Sequence, residues 1–190
     1  GAATHVRARL MILPSESADR LKAEVDLALL QGVALLEEGK EANGLREIEA
    51  GLARSGRDPM VLNNAAYYLA EARVGLDRAA ELAAEAMRKL PDDQSILDTA
   101  GWVAYLRADF AGARELLGKA MLKGPTTSDI PYHLSKAEMA LGEVDSALGH
   151  LKRAAELDPS VARRASQDAA FQAVVNDVRF KRLLSPAGPR

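Results

Sequence analysis

Histidine and cysteine serve catalysis and metal binding more often than other residue types, and this chain has few of them. It contains three histidines and no cysteine, which excludes disulfides and thiol catalysis. His5, His133 and His150 fall on separate predicted elements, and no H-x-x-x-H spacing puts two of them on one helix face. We expect His133 to be a surface residue without a catalytic role. The sequence therefore predicts no enzyme, no metal site and no cofactor.

Phosphate and nucleic-acid sites are equally poorly supported. No glycine-rich loop follows a strand, because no strand pattern is visible. The small basic clusters after residue 160 are too sparse for nucleic acid, and a formal net charge of −2 favours neither nucleic acid nor an anionic membrane. The apolar run over residues 10–13 is too short for a signal-peptide core or a membrane helix. We expect no direct membrane insertion, and the compartment stays open between cytoplasm and periplasm.

A period of 34 residues organises most of the chain. Pro91, Pro125 and Pro159 each follow an apolar helical segment and are 34 residues apart. Alanines recur at the same interval, at positions 79, 113 and 147 and again at 86, 120 and 154. The apolar spacing inside each period predicts two helices, and Asp109 is placed to cap the second helix of the central repeat. A fixed period of this length is typical of stacked helical hairpins.

The residues at the helix contacts identify the type of repeat. Small residues lie in two of the predicted first helices, at Ala66 and Gly101, while Ser135 departs from this pattern in the third. With the alanines of the second helices and the closing prolines, the chain resembles bacterial members of the tetratricopeptide-repeat (TPR) family over roughly residues 28–184. The resemblance implies an all-α, right-handed helical-hairpin solenoid with a C-terminal capping segment.

The repeat pattern divides the chain into five expected parts. Residues 1–14 are a leader or a cloning remnant, and residues 15–57 are a divergent N-terminal hairpin. Three regular repeats follow over 58–159, namely 58–91, 92–125 and 126–159. Residues 160–184 are expected to be capping helices in which Asp168 and Asp177 cap two short turns, whose Phe and Leu side chains cover the last hairpin. Residues 185–190 are an expected disordered tail. Because the chain does not begin with Met, we expect it to come from a larger protein.

The divergent hairpin has glycine at its predicted helix contacts. Gly32 and Gly44 are 12 residues apart, the same spacing as between Gly101 and Ala113. This spacing predicts a close approach of two helices, the second of which covers residues 41–54. The expected apolar side of its first helix consists of Leu21, Val25, Ala28, Leu29 and Leu36.

The TPR resemblance also implies a binding surface. In that family the first helix of each hairpin lines a concave groove that receives a segment of a partner protein. Carried onto this chain, the groove positions are Asn63, Tyr67, Asp98, Trp102, Tyr105, Tyr132, Lys136 and Met139. Trp and Tyr contribute large contact areas at low conformational cost, so such a surface is typical of a peptide anchor. The lysines and the arginine of the TPR carboxylate clamp are missing at the matching places, so binding of chaperone tails is not expected.

Two functional interpretations remain. The first is a non-enzymatic scaffold that binds a protein or peptide segment in this groove, as an adaptor within a larger protein or assembly. The second is a structural spacer or a self-association module that forms a homo-oligomer, in either case without a groove ligand. For Trp102 the sequence leaves two roles open, a groove anchor or internal packing beneath Tyr132.

Overall fold

The computed structural model describes residues 18–184, and within that range every regular element is a helix. The expected leader over residues 1–14 and the expected tail over residues 185–190 lie outside the described residues, as does the first turn around Ser15 and Ser17. The chain forms two compact units, one up to Asp92 and one from Asp93 onwards.

The first unit consists of two helical hairpins. Its helices are α1 (Ala18–Glu37), α2 (Glu41–Arg54), α3 (Pro59–Ala72) and α4 (Leu76–Lys89). The predicted extent of α2 is confirmed. Asp58 begins α3 as its N-cap, because its carboxylate accepts hydrogen bonds from the backbone N–H groups of Met60 at 2.8 Å and Val61 at 3.2 Å.

Glycine lets α1 and α2 approach closely, as the sequence predicts. A Cβ atom on Gly44 would lie 2.7 Å from the carbonyl oxygen of Gly32, and a Cβ atom on Gly32 would lie 2.7 Å from that of Gly44. Val25, Ala28 and Leu29 are buried here, as expected. Leu21 is not, since it is 47% exposed. Its assignment to the apolar side was wrong because the side chain lies nearer the start of the helix than the packed part of the hairpin.

A charged network joins the two hairpins of the first unit. The Arg57 guanidinium donates to Glu85 at 2.8 and 2.5 Å and to Glu49 at 3.1 Å. Glu49 also accepts a hydrogen bond from Arg78. The hydrogen bond from Arg57 is the main cause that lowers the pKa of the Glu85 carboxyl group, against the opposing effect of burial.

The second unit continues the hairpin plan and ends in a cap. Its helices are α5 (Gln94–Leu106), α6 (Phe110–Met121), α7 (Asp129–Ala140), α8 (Val144–Leu157), α9 (Ser160–Gln167) and α10 (Val178–Leu184), with a 3₁₀ helix over Ala169–Val174 between the last two. Asp109 accepts a hydrogen bond from the N–H of Gly112 at 2.9 Å, which confirms its predicted capping role. Gly101 faces Leu117 so closely that an added Cβ would lie 2.6 Å from the leucine Cγ.

The C-terminal segment covers the last hairpin with aromatic side chains. Phe171 and Phe180 are fully buried with Leu148 and Leu151 in one apolar cluster. Asp168 caps the 3₁₀ helix by accepting from the N–H of Ala170, and Asp177 accepts similarly from Arg179. The two predicted Asp-capped turns are therefore confirmed, while α9 before them was missed.

Candidate functional site

The eight predicted groove residues are divided between the two units. Asn63 and Tyr67 lie on α3 in the first unit, and the other six lie on α5 and α7 in the second. Their exposure differs widely. Tyr67 is exposed, Asp98, Tyr105 and Met139 are half-buried, and the remaining four are buried: Asn63, Trp102, Tyr132 and Lys136.

Helix α3 has two exposed large side chains with a buried asparagine between them. Tyr67 is 41% exposed, and Met60, seven residues earlier, is also an exposed large apolar side chain. Positions i and i+7 lie on the same face of a helix. Between them Asn63 is buried, and its side-chain oxygen Oδ1 has no hydrogen-bond partner among the residues described. Buried polar atoms normally have partners, so this oxygen marks an unmet acceptor beside the exposed Tyr67.

In the second unit, Lys136 lies within a cluster of aromatic and acidic groups. We call Trp102, Tyr105, Tyr132, Lys136 and Asp168 the Lys136 cluster. The ammonium Nζ of Lys136 donates to the Asp168 carboxylate at 2.7 Å. It lies 5.0 Å from the ring centroid of Trp102, 5.2 Å from that of Tyr105 and 5.8 Å from that of Tyr132. These distances are within the range in which a ring face attracts a cation.

Asp168 joins the capping segment to α7. The Tyr132 hydroxyl donates to the same carboxylate oxygen as Lys136, at 2.8 Å. Burial acts to raise the pKa of the Asp168 carboxyl group, but the hydrogen bonds from Lys136, Ala170 and Tyr132 outweigh it, and this pKa lies below its usual range. Burial, together with the hydrogen bond to Asp168 and its negative charge, raises the pKa of Tyr132. The carboxylate is thus held in its charged form and the phenol in its neutral form.

Trp102 packs between two flat side chains. Its ring is stacked with Tyr105 at a centroid distance of 5.2 Å and with His133 at 4.4 Å. The His133 Nδ1 atom lies 2.9 Å from a carboxylate oxygen of Asp98. The expected surface position of His133 is wrong, because this stacking and hydrogen bonding bury the imidazole. The surroundings of Trp102 are those of an internally packed ring, which is one of the two roles left open. The ring stacks on His133, however, and does not lie beneath Tyr132.

Helix α7 is buried along most of its length. Every residue from Ile130 to Glu138 is buried, including Tyr132, His133 and Lys136. The expected groove side of this helix is therefore covered, by aromatic side chains of α5 at Lys136 and by the capping segment. Asp168 covers it at Lys136, and the Arg164 guanidinium lies 3.8 Å from the ring centroid of Tyr132. Met139, near the end of the helix, is partly buried against the apolar cluster of the last hairpin.

Sequence reasoning missed the contributions of Asp168, Arg164 and His133 to this arrangement. From the sequence, Asp168 is predicted only as a helix N-cap. Its second role, accepting hydrogen bonds from Lys136 and Tyr132, depends on how the C-terminal segment packs against α7. One signal was present, since polar residues occur on several sides of α7 instead of along one stripe. A helix of that kind must place polar groups in its interior contacts, where they need partners.

Two further properties concern residues 18–184 as a whole. No three His, Cys, Asp or Glu side chains in that range are grouped so that they could hold a metal ion. No helix in the same range is both long and apolar enough to span a bilayer.

Comparison with known proteins identifies the fold. The chain is 33% identical over 115 residues to the TPR repeat-containing protein PA4667 of Pseudomonas aeruginosa, an alignment that covers 58% of this chain and 19% of that relative. No family model matches the chain. TTC0263, a thermophilic TPR protein of Thermus thermophilus, superposes with a TM-score of 0.61 at 22% identity, over 96% of this chain and 89% of that structure. The chain has a tetratricopeptide-repeat fold. A structure of MamA AMB-1 shares it with a TM-score of 0.56 at 20% identity, covering 83% of this chain and 95% of the other.

The TPR fold confirms the predicted fold class, an all-α solenoid of helical hairpins. It is a fold that typically serves non-enzymatic scaffolds for protein–protein interaction. The particular segment bound and the residues that bind it do not follow from the fold.

Proposed function

We propose that this TPR chain is a non-enzymatic adaptor, within a larger protein or assembly, that binds a segment of a partner protein on the first-helix face of its hairpins. The observation that carries the proposal is the exposed surface of α3, where two large side chains on one helix face, Met60 at 38% and Tyr67 at 41% exposure, are open to a ligand. We keep 58–91, 92–125 and 126–159 as the proposed repeats and residues 160–184 as the proposed cap.

The chemistry of α3 suits an extended or helical protein segment. Tyr67 and Met60 offer apolar area, and the unpartnered Oδ1 of Asn63 could accept a backbone N–H once a bound segment shifts the side chains over it. Tyrosine is enriched among residues that dominate binding energy. We assign the anchoring role to Tyr67 and the orienting role to Asn63.

The six positions in the second unit take two roles in this proposal. Asp98, Tyr105 and Met139 are half-buried and keep some surface for a ligand. Trp102, Tyr132 and Lys136 are buried, and we assign them to support beneath that surface rather than to direct contact. The alternative function, a spacer or self-association module, needs no exposed anchor on α3, so the two functions can be separated by experiment.

The test places a photo-crosslinking residue, benzoylphenylalanine, at Tyr67 and crosslinks the protein in its native host. Leu90 provides a matched control, because it lies in the same unit and is 40% exposed but follows α4 instead of facing from a first helix. We expect a partner protein crosslinked from position 67 and not from position 90, and we expect Tyr67→Ala to weaken its capture.

Two outcomes would count against the proposal. If position 67 yields only copies of this chain, and sedimentation shows concentration-dependent assembly, self-association becomes the better description. If positions 67 and 90 yield the same set of proteins, the α3 surface has no specific role.

A further inference from the structure

The second unit has a groove on the side of its second helices, and none of its lining residues is a predicted groove residue of the first helices. We call it the α6/α8 groove, and its volume is about 690 Å³. Small residues of α6 form one wall, namely Ala111, Gly112 and Gly118, and apolar side chains form much of the rest, namely Met121, Leu122 and Leu134. Gly118 has no neighbouring atom within 4 Å of where its Cβ would be, so this wall is open to an incoming side chain.

A carboxylate lies in this groove. Glu138 projects from the buried helix α7 and is only 4% exposed as a residue, yet it lines the groove. Its Oε2 lies 2.8 Å from Nδ1 of His150 on α8. A neutral imidazole can donate one hydrogen bond to a carboxylate, but it does not cancel the negative charge.

The other charges around the groove are already arranged in pairs. Arg114 donates to Glu143 at 3.2 Å, and Lys119 donates to Glu115 at 2.7 Å. Both pairs are largely exposed. Within each pair the two charges offset each other, and solvent screens what remains, so neither pair adds much electrostatic potential to the rest of the groove. Of the two carboxylates that line the groove, Glu115 pairs with a lysine, whereas Glu138 pairs with a histidine.

The groove also has an apolar edge. Leu122 is 88% exposed, the largest exposure among the large hydrophobic side chains described in this chain. It lines the groove together with Met121 and Leu134. A ligand that reaches Glu138 would therefore pass along apolar surface before meeting the charge.

We propose that the α6/α8 groove binds a protein segment that carries a lysine or arginine side chain next to an apolar residue. The aliphatic part of the basic side chain would lie along Leu134, and its cationic end would reach the carboxylate of Glu138. The neighbouring apolar residue would pack on Leu122. An acidic segment would bring like charge to a carboxylate with low exposure, and a wholly apolar one would remove water from that carboxylate without bringing a cation to compensate its charge.

This binding site is independent of the α3 surface, because it uses different helices and requires a cationic side chain. The probe for the first test is n-butylguanidinium, a cationic arginine analogue, and n-butylurea is its neutral isostere. Binding is followed by NMR chemical-shift titration of the chain with assigned methyl groups, at about pH 8. We expect shifts at Leu122 and Leu134 with the cation, and affinity about tenfold weaker with the urea, because a charge-assisted hydrogen bond is lost.

Two variants test the residues involved. Glu138→Gln keeps an acceptor for His150 and removes the charge, so butylguanidinium binding should fall about tenfold. Glu115→Gln is the control, since Glu115 is an exposed carboxylate of the same groove whose cation is already present, and it should change the affinity little. Equal loss in both variants, or shifts spread over the acidic surface in the wild-type chain, would overturn the proposal.

A peptide selection extends the test to protein segments. Random twelve-residue peptides are displayed and selected against the wild-type chain, with the Leu122→Ser variant used for counter-selection. Leu122 is so exposed that its replacement should leave the fold intact. We expect enrichment of a basic residue adjacent to an apolar one, and selected peptides without a basic residue would refute the assigned ligand class. The comparison of the two butyl probes on the wild-type chain remains decisive even if Glu138→Gln does not fold.

Discussion

Replacing Asp168 by asparagine should destabilise the second unit far more than an equivalent change elsewhere in the cap. The asparagine can still accept the capping hydrogen bond from Ala170. It cannot supply the negative charge that Lys136 meets at 2.7 Å. The variant therefore isolates the role of Asp168 as a partner of α7 from its role as a helix cap.

The size of the effect follows from the burial of the pair. Breaking a fully buried ion pair from one side costs roughly 3–5 kcal/mol, because the remaining charge is left without compensation. The Lys136 side chain is 8% exposed and that of Asp168 is 19% exposed, so some solvent can relax the isolated ammonium. We therefore expect a loss of about 2 kcal/mol in the free energy of unfolding of the second unit.

The assay is urea unfolding followed by tryptophan fluorescence. Trp102 is the single tryptophan of the chain and belongs to the Lys136 cluster, so its emission reports on the unit in question. Asp177→Asn is the matched control, because Asp177 also caps a short helix but pairs with the exposed Arg179. We expect a clearly smaller loss in the control, since exposed ion pairs contribute little.

The acid dependence gives a second readout of the same pair. The pKa of Asp168 is lowered in the folded chain, so its contribution to stability is present above the unfolded value of about 4 and is lost as the pH falls through the folded value. Asp168→Asn should remove that part of the acid sensitivity. Equal urea midpoints for the Asp168 and Asp177 variants, with unchanged acid profiles, would refute the reasoning about the Lys136 cluster.

Three further predictions concern packing and ionisation. Gly101→Ala should lower the unfolding free energy by about 1 kcal/mol in the same urea assay, because overpacking against the buried Leu117 exceeds the gain in helix propensity. Gly118→Ala, at an open site, should raise the unfolding free energy by about 0.5–1 kcal/mol. A higher unfolding free energy in both variants would contradict the contact geometry. The raised pKa of Tyr132 implies stability that is present below the unfolded value of about 10 and is lost as the pH rises above it. Urea midpoints should therefore fall from about pH 10 upward in the wild type, and less in Tyr132→Phe. Acrylamide should quench Trp102 several-fold less efficiently in the folded chain than in urea, because the residue is only 7% exposed; equal quenching would place it at the surface.

The hairpins were predictable because their geometry fixes a period. Each repeat must return the chain to the same place in the stack, so contact residues recur every 34 positions. The sizes of the two residues that meet at a helix contact also compensate for each other. Gly101 is opposite the large Leu117, while the preceding repeat, which has one extra residue in its turn, holds Ala66 and Ala83 at the same two places. Closely packed helix contacts restrict residue size strongly enough to be visible in one sequence.

The surroundings of α7 were not predictable in the same way. The cap has no repeat register, so nothing in the sequence indicates that Asp168 lies against Lys136. Burial of Trp102 depends on His133, which occupies a place where the preceding repeat has Thr99. The groove positions inferred from the family lie on first helices, while their exposure depends on residues outside the repeat pattern.

The link between Asp168 and α7 limits how far the repeats can be exchanged. If the third repeat were replaced by a copy of the second, Trp102 would take the place of Lys136, and Asp98 would take the place of Tyr132. Asp168 would then lose the hydrogen bonds from both Tyr132 and Lys136, and the aspartate in the place of Tyr132 would repel its carboxylate. A designer who lengthens or shortens this array should therefore transplant residues 126–184 as one cassette and make insertions upstream of it.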